Sequence, residues 1–323
     1  MGLIHRIKEK LSNLGETSIF WEMMYYRGKY GLAAFLGKIW SEERYAKWFY
    51  HQYTGKELDL HNPKRFDEKV WWLKLHNHDP LLTTCSDKHA VRKYVKDQGY
   101  DSTLIPQYEV LESVKDLNFS KYTEEVVAKC THNSGGHIFY DPANPISPNE
   151  IKKAKKRLKF ILKHNASVLS REWNYKNIKP RIVVEKVIRD NNGELPSDFK
   201  FMCFAGEPKL LFLDIGLINK DHSYNHNYPR NIYDMDFNLL PVYETRPNAN
   251  VFIQKPENFE FMVQMARDLS KPFPHCRVDL YNMDGKVYFG EITFYHGGGC
   301  NKIEPEEWDY KMGSWIPIDK VLE

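Results

Sequence analysis

Arg277-Val278-Asp279-Leu280-Tyr281-Asn282-Met283-Asp284-Gly285-Lys286-Val287-Tyr288-Phe289-Gly290-Glu291-Ile292-Thr293 is the stretch on which the fold turns. Two strand-like runs, Arg277 to Asn282 and Lys286 to Thr293, flank Met283-Asp284-Gly285, so the segment reads as a β-hairpin. Asp279 and Glu291 each have apolar neighbours on both sides, where a solvated strand would be polar. Buried carboxylates must be neutralised. One solution is a divalent cation, which typically takes one or two carboxylates together with phosphate oxygens and water. The other is that Asp279 pairs with Arg277 or another cation while Glu291 faces water. The two carboxylates stand 12 positions apart, and strand side chains alternate faces, so the turn decides whether they meet. A two-residue turn at Asp284-Gly285 pairs Met283 with Lys286 and Asp279 with Gly290, which sends Glu291 to the opposite face. A three-residue loop with a bulge at Gly285 pairs Asp279 with Phe289 and leaves Glu291 diagonally across on the same face, opposite Arg277. We expect the odd-length connection. It would set Arg277, Asp279, Glu291 and Thr293 toward one cleft, with Val278, Leu280, Tyr288 and Ile292 on the other face.

Outward from the hairpin, strand signals fill the middle of the chain. Phe199 to Phe204 and Lys209 to Asp214 flank Ala205-Gly206-Glu207-Pro208, a second hairpin. Arg181-Ile-Val-Val-Glu-Lys-Val-Ile188 reads as a buried strand, and Val126 to Cys130 as a short one that opens into His132-Asn133-Ser134-Gly135-Gly136-His137. After a strand that carries Lys129, such a loop lets backbone N–H groups approach phosphate oxygens while the ammonium supplies a point charge. Gly135-Gly136 fits a plain hairpin turn as well. A basic helix is expected from about Asn149 to His164, and a short helix over Asp87 to Val95 with Val91 and Val95 on one face. The first 80 residues are helix-rich, and Asn62-Pro63 marks a turn before a helix around Phe66 to Leu75. Ile4, Ile7, Leu11 and Leu14 fall at helical spacing beside Arg6, Lys8 and Lys10. That stripe fits an interfacial helix on anionic lipid, or an ordinary helix docked on the core. With no internal repeat, the fold class is α+β with antiparallel sheets.

Composition narrows the function classes. A chain of 323 residues has room for a substantial core. Its 46 Lys+Arg against 43 Asp+Glu leave a net charge of +3, too small to imply nucleic-acid binding. Five widely spaced cysteines without a Cys-x-x-Cys pair exclude a disulfide framework and a zinc cluster, and point to a reducing cytosol. His296 and Cys300 have no second Cys/His pair to complete a zinc site. No apolar run approaches the roughly 20 residues that cross a bilayer, and the N-terminus lacks a signal-peptide pattern. We therefore expect a cytoplasmic protein with no transmembrane segment, peripheral at the inner membrane if residues 1–14 touch lipid. The 20 Tyr and 8 Trp suit sugar or nucleobase faces, and equally the core. His132, His137 and His296 flank glycine loops, where they either position substrate or are solvated.

Read in order, Asp87-Lys88, Val127-Ala-Lys129 with Ser134-Gly-Gly136, Val184-Glu-Lys-Val-Ile188, Arg277-Val-Asp279 and Gly290-Glu-Ile-Thr293 resemble the ATP-grasp superfamily. Phe66-Asp-Glu-Lys, Trp72-Leu-Lys-Leu, Asp79-Pro-Leu-Leu, Trp173-Asn-Tyr-Lys-Asn-Ile-Lys-Pro-Arg181, Asp198-Phe-Lys-Phe, Gly206-Glu-Pro-Lys and Phe289-Gly-Glu-Ile-Thr-Phe-Tyr295 are similar to its TupA-like branch, named after a teichuronopeptide biosynthesis protein. The resemblance covers about residues 50 to 312. It implies two α+β lobes clasping ATP between antiparallel sheets, behind a helical N-terminal extension. The expected divisions are a helical region 1–80, a segment 81–120 with Asp87-Lys88, a first lobe 121–190 with the phosphate loop, and a second lobe 191–323 with the metal-binding hairpin.

By the same resemblance, Lys88 and Lys129 match the lysines that hold ATP phosphates, and Ser134, Gly135 and Gly136 match the phosphate loop. Glu185, Lys186 and Ile188 match the strand that meets adenine, and Asp198 an acidic residue at the ribose. Arg277 matches a transition-state cation and Arg230 a further phosphate-binding one, while Asp279 and Glu291 match Mg²⁺ carboxylates. Thr293 stands where an asparagine usually serves as third metal ligand, which puts a second metal ion in question. The activity implied is a carboxylate–amine ligase that uses ATP and Mg²⁺, joining an amino acid or amine to a uronic acid carboxylate in cell-surface polysaccharide. A glycosyltransferase or sugar kinase would also use acidic metal ligands and aromatic platforms. A carbohydrate-binding protein without catalysis is the third reading, and the joint presence of Lys88, Lys129, Asp279 and Glu291 speaks against it.

Overall fold

The structure, a computed structural model, describes residues 19–133, 136–219, 225, 227–249 and 251–321. The stripe of residues 1–14 and the loop residues Ser134 and Gly135 lie outside the described residues. Five helices come first: α1 (Ile19–Ile39), α2 (Glu42–Thr54), α3 (Phe66–His76), α4 (Pro80–Ser86) and α5 (Val91–Asp97). Ser41 starts α2 by accepting the Arg44 N–H at 3.2 Å, and Gly55, at φ 70°, ends it. The aromatic residues of α2 and α3 are largely core, with Tyr45, Tyr50, Phe66 and Trp71 buried, whereas α1 leaves Trp21, Tyr26 and Phe35 exposed. The short helix begins at Val91 instead of Asp87. The Asp87 carboxylate accepts the N–H groups of His89 and Ala90 at 2.8 and 3.2 Å, which folds residues 87–90 into a turn that competes with helix.

Two antiparallel sheets follow. The first has the order β1-β4-β2-β3, from β1 (Gln107–Leu111), β2 (Val126–Cys130), β3 (Ile138–Tyr140) and β4 (Ile182–Lys186). Helix α6 (Pro148–Ile161), started by a Ser147–Glu150 capping box, packs Leu158 on Val126, Ala128, Ile182 and Val184. Helix α7 (Ala166–Ser170) leads back toward β4. The second sheet has the order β10-β9-β5-β6-β7, from β5 (Asp198–Phe204), β6 (Glu207–Asp214), β7 (Arg230–Tyr233), β9 (His275–Met283) and β10 (Lys286–Thr293). Helix α8 (Phe259–Ser270) covers it with Met262, Met265, Ala266 and Leu269, all buried. A two-stranded pair, β8 (Tyr243–Glu244) with β11 (Ile303–Glu304), and α9 (Glu306–Ser314) complete the described fold. Phe201, Phe204 and Phe212 are wholly buried in this larger core. Truncating any one to alanine would cost about 3–5 kcal/mol.

The decisive hairpin closes differently from expectation. Met283 pairs with Lys286, so the turn is the two-residue Asp284-Gly285, with φ values of 49° and 77° as a type I′ turn demands. That turn alone would send Glu291 to the far face. The face is restored inside β10, where the register slips between Phe289 and Glu291 and Gly290 becomes the extra residue of a β-bulge. Glu291 then pairs with Asp279, Ile292 with Val278 and Thr293 with Arg277. Only glycine fits the bulge, because a Cβ on Gly290 would lie 2.9 Å from the Asp279 carbonyl oxygen. The same-face arrangement holds, but its source is Gly290 and not a three-residue loop with a bulge at Gly285. The apolar set changes as well. Phe289 pairs with Leu280 and Ile292 with Val278 on the buried face, while Tyr288 pairs with Tyr281 on the carboxylate side.

Candidate functional site

Between the sheets lies a cleft of about 540 Å³. Lys88, Lys129, Glu185, Lys186 and Ile188 line one wall; Asp198, Arg230, Arg277, Asp279 and Glu291 line the other. Thr293 joins the second group by donating its hydroxyl to Glu291 Oε1 at 3.1 Å. Gly136 closes the loop after β2 at φ 73°.

The wall built by the second sheet is a continuous ionic network. Arg277 donates from Nε and Nη2 to the two oxygens of Asp279, both at 2.6 Å, and from Nη2 to Glu291 and Thr293 at 3.2 and 3.1 Å. Its Nη1 donates to His296 Nδ1 at 2.7 Å. A guanidinium only donates, so Nδ1 is the acceptor and the imidazole proton sits on Nε2, 2.6 Å from Glu244 Oε1. Burial lowers the His296 pKa, in keeping with a neutral ring. Glu244 also accepts from Arg230 and Asn301, and Arg230 forks onto Asp214 at 2.5 and 2.9 Å. Lys200 lies 3.1 Å from both Asp198 and Asp214. Three cations thus meet five carboxylates, an excess of negative charge that would welcome another cation.

The two hairpin carboxylates differ. Burial pushes Asp279 up to about 6 in spite of Arg277 and Lys200. Burial also acts on Glu291, but Lys88, Arg277 and Lys200 outweigh it and hold that carboxyl at about 2. The Glu291 side chain keeps 46% of its surface open to the cleft, although protein surrounds the cleft itself. Among the described residues no group of three or more His, Cys, Asp and Glu side chains forms a metal cage. Two carboxylates and a hydroxyl nevertheless form the hard oxygen set that suits Mg²⁺ with phosphate and water as remaining ligands, and a cation, the Arg277 guanidinium, already bridges them.

The opposite wall is lightly neutralised. Lys88 follows α4; its backbone N–H donates to the Thr131 carbonyl at 3.3 Å and its ammonium to the Asn133 carbonyl at 2.9 Å, so it pins the loop that leaves β2. Burial lowers its pKa, against the pull of Glu291 across the cleft. Lys129 pairs across the sheet with Glu185 at 2.8 Å, and Arg92 stands 3.7 Å from the same carboxylate. Lys186 is turned to Glu124 at 2.6 Å. Burial, with Lys129 and Lys88 nearby, lowers His137 to about 4, so this ring is neutral beside the loop.

Lys200, Asp214, Glu244 and Asn301 belong to the site but were not singled out from the sequence. The alternation Asp198-Phe-Lys200-Phe was the available signal for Lys200, a charged strand face beside an apolar one. Glu244 carries no local signal, since the pairing of β8 with the distant β11 brings it in. His296 is a member of the network and not a zinc ligand paired with Cys300, and the five cysteines are free thiols. No helix among the described residues is long and apolar enough to cross a membrane.

A model of the TupA-like ATP-grasp family matches residues 68–317. Among solved structures, the chain is similar to D-alanine–D-alanine ligase from Bacillus anthracis at 18% identity and TM-score 0.43, covering 75% of this chain and 69% of that one. It is similar to D-alanine–D-alanine ligase from Helicobacter pylori at 11% identity and TM-score 0.42, covering 79% and 67%. An L-amino acid ligase from Bacillus licheniformis matches at 16% identity and TM-score 0.39, with 67% of this chain covered and 44% of that one. A search of curated proteins finds no match.

Proposed function

The chain belongs to the TupA-like ATP-grasp family; from that premise we propose that it is an ATP-dependent ligase that joins a carboxylate to an amine, the carboxylate being a uronic acid of cell-surface polysaccharide. The observation that carries the reading is the facing of the two walls. Lys88 from one wall exerts the largest charge effect on Glu291 of the other, so basic and acidic groups share one cleft wide enough for a nucleotide. In this reading ATP lies between the walls, with adenine at Glu185, Lys186 and Ile188 and ribose at Asp198. Lys88, Lys129 and the loop Ser134 to Gly136 hold its phosphates. Asp279, Glu291 and Thr293 would hold Mg²⁺, which neutralises phosphate charge when bound. The divisions 1–80, 81–120, 121–190 and 191–323 remain our proposed domain map, with β1 contributed from the second segment to the first lobe's sheet.

A substrate carboxylate oxygen attacks the γ-phosphorus, the bond to the β-phosphate oxygen breaks, and ADP leaves with an acyl phosphate behind. The amine nitrogen then attacks the acyl carbon, phosphate departs and the nitrogen loses a proton. Lys88, Lys129 and Arg277 stabilise charge on the transferring group, and Arg230 supports the acidic wall, as preorganised charge does in phosphoryl transfer generally. The test is an ADP-release screen across uronic acids and amines with mass detection of the product. Release that requires both partners supports the ligase. Release with a sugar alone and a phosphorylated product would replace it with a sugar kinase, and transfer from a nucleotide sugar without ADP formation from ATP would replace it with a glycosyltransferase.

A further inference from the structure

Away from the cleft, the most concentrated charge lies on α6. Lys152, Lys156 and Lys159 on α6 and Lys163 in the turn just after it recur at intervals of four, three and four residues, the spacing of one helical face, and all four are exposed. With Lys115 and Lys155 they line a groove of about 640 Å³ whose far bank is residues 112–115. The single carboxylate among the lining residues, Glu112, is already paired with Lys179. Among the described residues none of the four row lysines has an ion-pair partner. Along α6, from Lys152 to Lys159, the row extends for about 10 Å, with neighbouring charges about 5–6 Å apart at the Cβ atoms. It ends at Lys163. The next residue, His164, accepts on its carbonyl the side-chain amide of Asn133 at 3.3 Å, in the loop that Lys88 pins. The groove therefore leads to the loop that borders the cleft.

We propose that this groove binds a polycarboxylate chain, the polymeric form of the carboxylate acceptor. Three features favour that occupant. A row of ammonium groups at regular spacing matches a chain that repeats one carboxylate per unit. The lining has no arginine and no aromatic ring, so it offers a nucleic acid neither guanidinium forks nor stacking platforms. It is concave, and of its apolar members Val114, Ile151 and Leu162 belong to the core beneath while Pro148 alone is exposed, so it presents no large apolar side chain to insert into a bilayer. The role as acceptor site rests on the ligase reading, whereas the binding itself does not.

Fluorescence anisotropy of a labelled oligogalacturonate with the full chain is expected to show saturable binding that weakens steeply with salt, with no binding of a labelled neutral dextran. The combined variant Lys156→Gln, Lys159→Gln, Lys163→Gln, with unchanged circular dichroism, should bind at least tenfold more weakly. Its KM in ADP release should rise tenfold or more for oligogalacturonate and stay unchanged for monomeric galacturonate. Equal binding by parent and variant overturns the groove whatever the ligase result. Tighter binding of single-stranded DNA or of phosphatidylglycerol vesicles than of oligogalacturonate overturns it too. Absence of ADP release with every carboxylate overturns the ligase reading, and the anisotropy result still decides the groove.

Discussion

The two walls of the cleft solve the problem of buried charge in opposite ways. On the wall built by the second sheet, Arg277, Asp279, His296, Glu244, Arg230 and Asp214 satisfy one another in an unbroken chain of hydrogen bonds. On the opposite wall, Lys88 has a backbone carbonyl for a partner and Lys129 shares Glu185 with Arg92. The acidic wall is assembled before any ligand arrives, while the basic wall keeps charge in reserve for an anion. Removing a member from the first kind of wall breaks structure, and removing one from the second kind costs binding.

The largest effect tests that contrast. Arg277→Ala strands Asp279 in a buried site and should lower stability by about 3–5 kcal/mol in urea denaturation. Lys129→Ala should cost about 1 kcal/mol or less, because the buried Glu185 keeps Arg92 as a partner and the Lys129 side chain is itself partly exposed. Equal losses would erase the distinction between the walls. Next, Mg-ATP at a hundredfold excess over Kd should stabilise the parent by about 2.7 kcal/mol, read as a raised Tm. Lys129→Ala should weaken that binding by about 10- to 100-fold, the worth of one charge-assisted hydrogen bond of about 1.5–3 kcal/mol. An unchanged Kd would remove Lys129 from the phosphate site.

Gly290→Ala probes the joint between wall and strand. The added methyl meets the Asp279 carbonyl at 2.9 Å and should cost about 1–3 kcal/mol, with ADP release falling further than stability does as the carboxylates move apart. The smallest effect is the pH dependence of the apo protein. Asp279, raised to about 6, binds its proton earlier in the folded state than in the unfolded one, so its contribution to stability grows as pH falls through 6 toward 4. Glu291 and Asp214, both held at about 2, contribute fully above the ordinary carboxylate range and lose that contribution as pH falls toward 2. Denaturation across pH should show an acid limb that Glu291→Gln flattens. A variant whose limb matches the parent's would detach Glu291 from its cationic partners.

How much of this was legible in sequence differs with range. Both hairpins, the basic helix and α3 are near their expected positions, because alternation and helical spacing are local. The bulge was legible too, since the isolated Gly290 in a strand pattern marks such a site. Glu244 was not legible, because a two-residue strand carries no periodicity and only its distant partner fixes it. Nor was the start of α5, where the Asp87 carboxylate competes with the helix for backbone N–H groups.

The α3 helix reaches further than its place in the sequence implies. Trp71 donates its indole N–H to the Gly299 carbonyl at 2.8 Å, and the buried Lys74 ammonium donates to the carbonyls of Gly298 and Ser170 at 2.6 and 3.1 Å while sitting 3.7 Å from the centre of the Trp71 ring. Gly298 and Gly299 lie two and three residues after His296, so the N-terminal region grips the turn that carries a network residue. These segments are therefore expected to open together as one unit of local unfolding. Amide hydrogens of residues 66–76 and of 296–300 should exchange with solvent together, and a chain begun at residue 81 would keep every residue singled out for the cleft yet lose the order of the turn beside it.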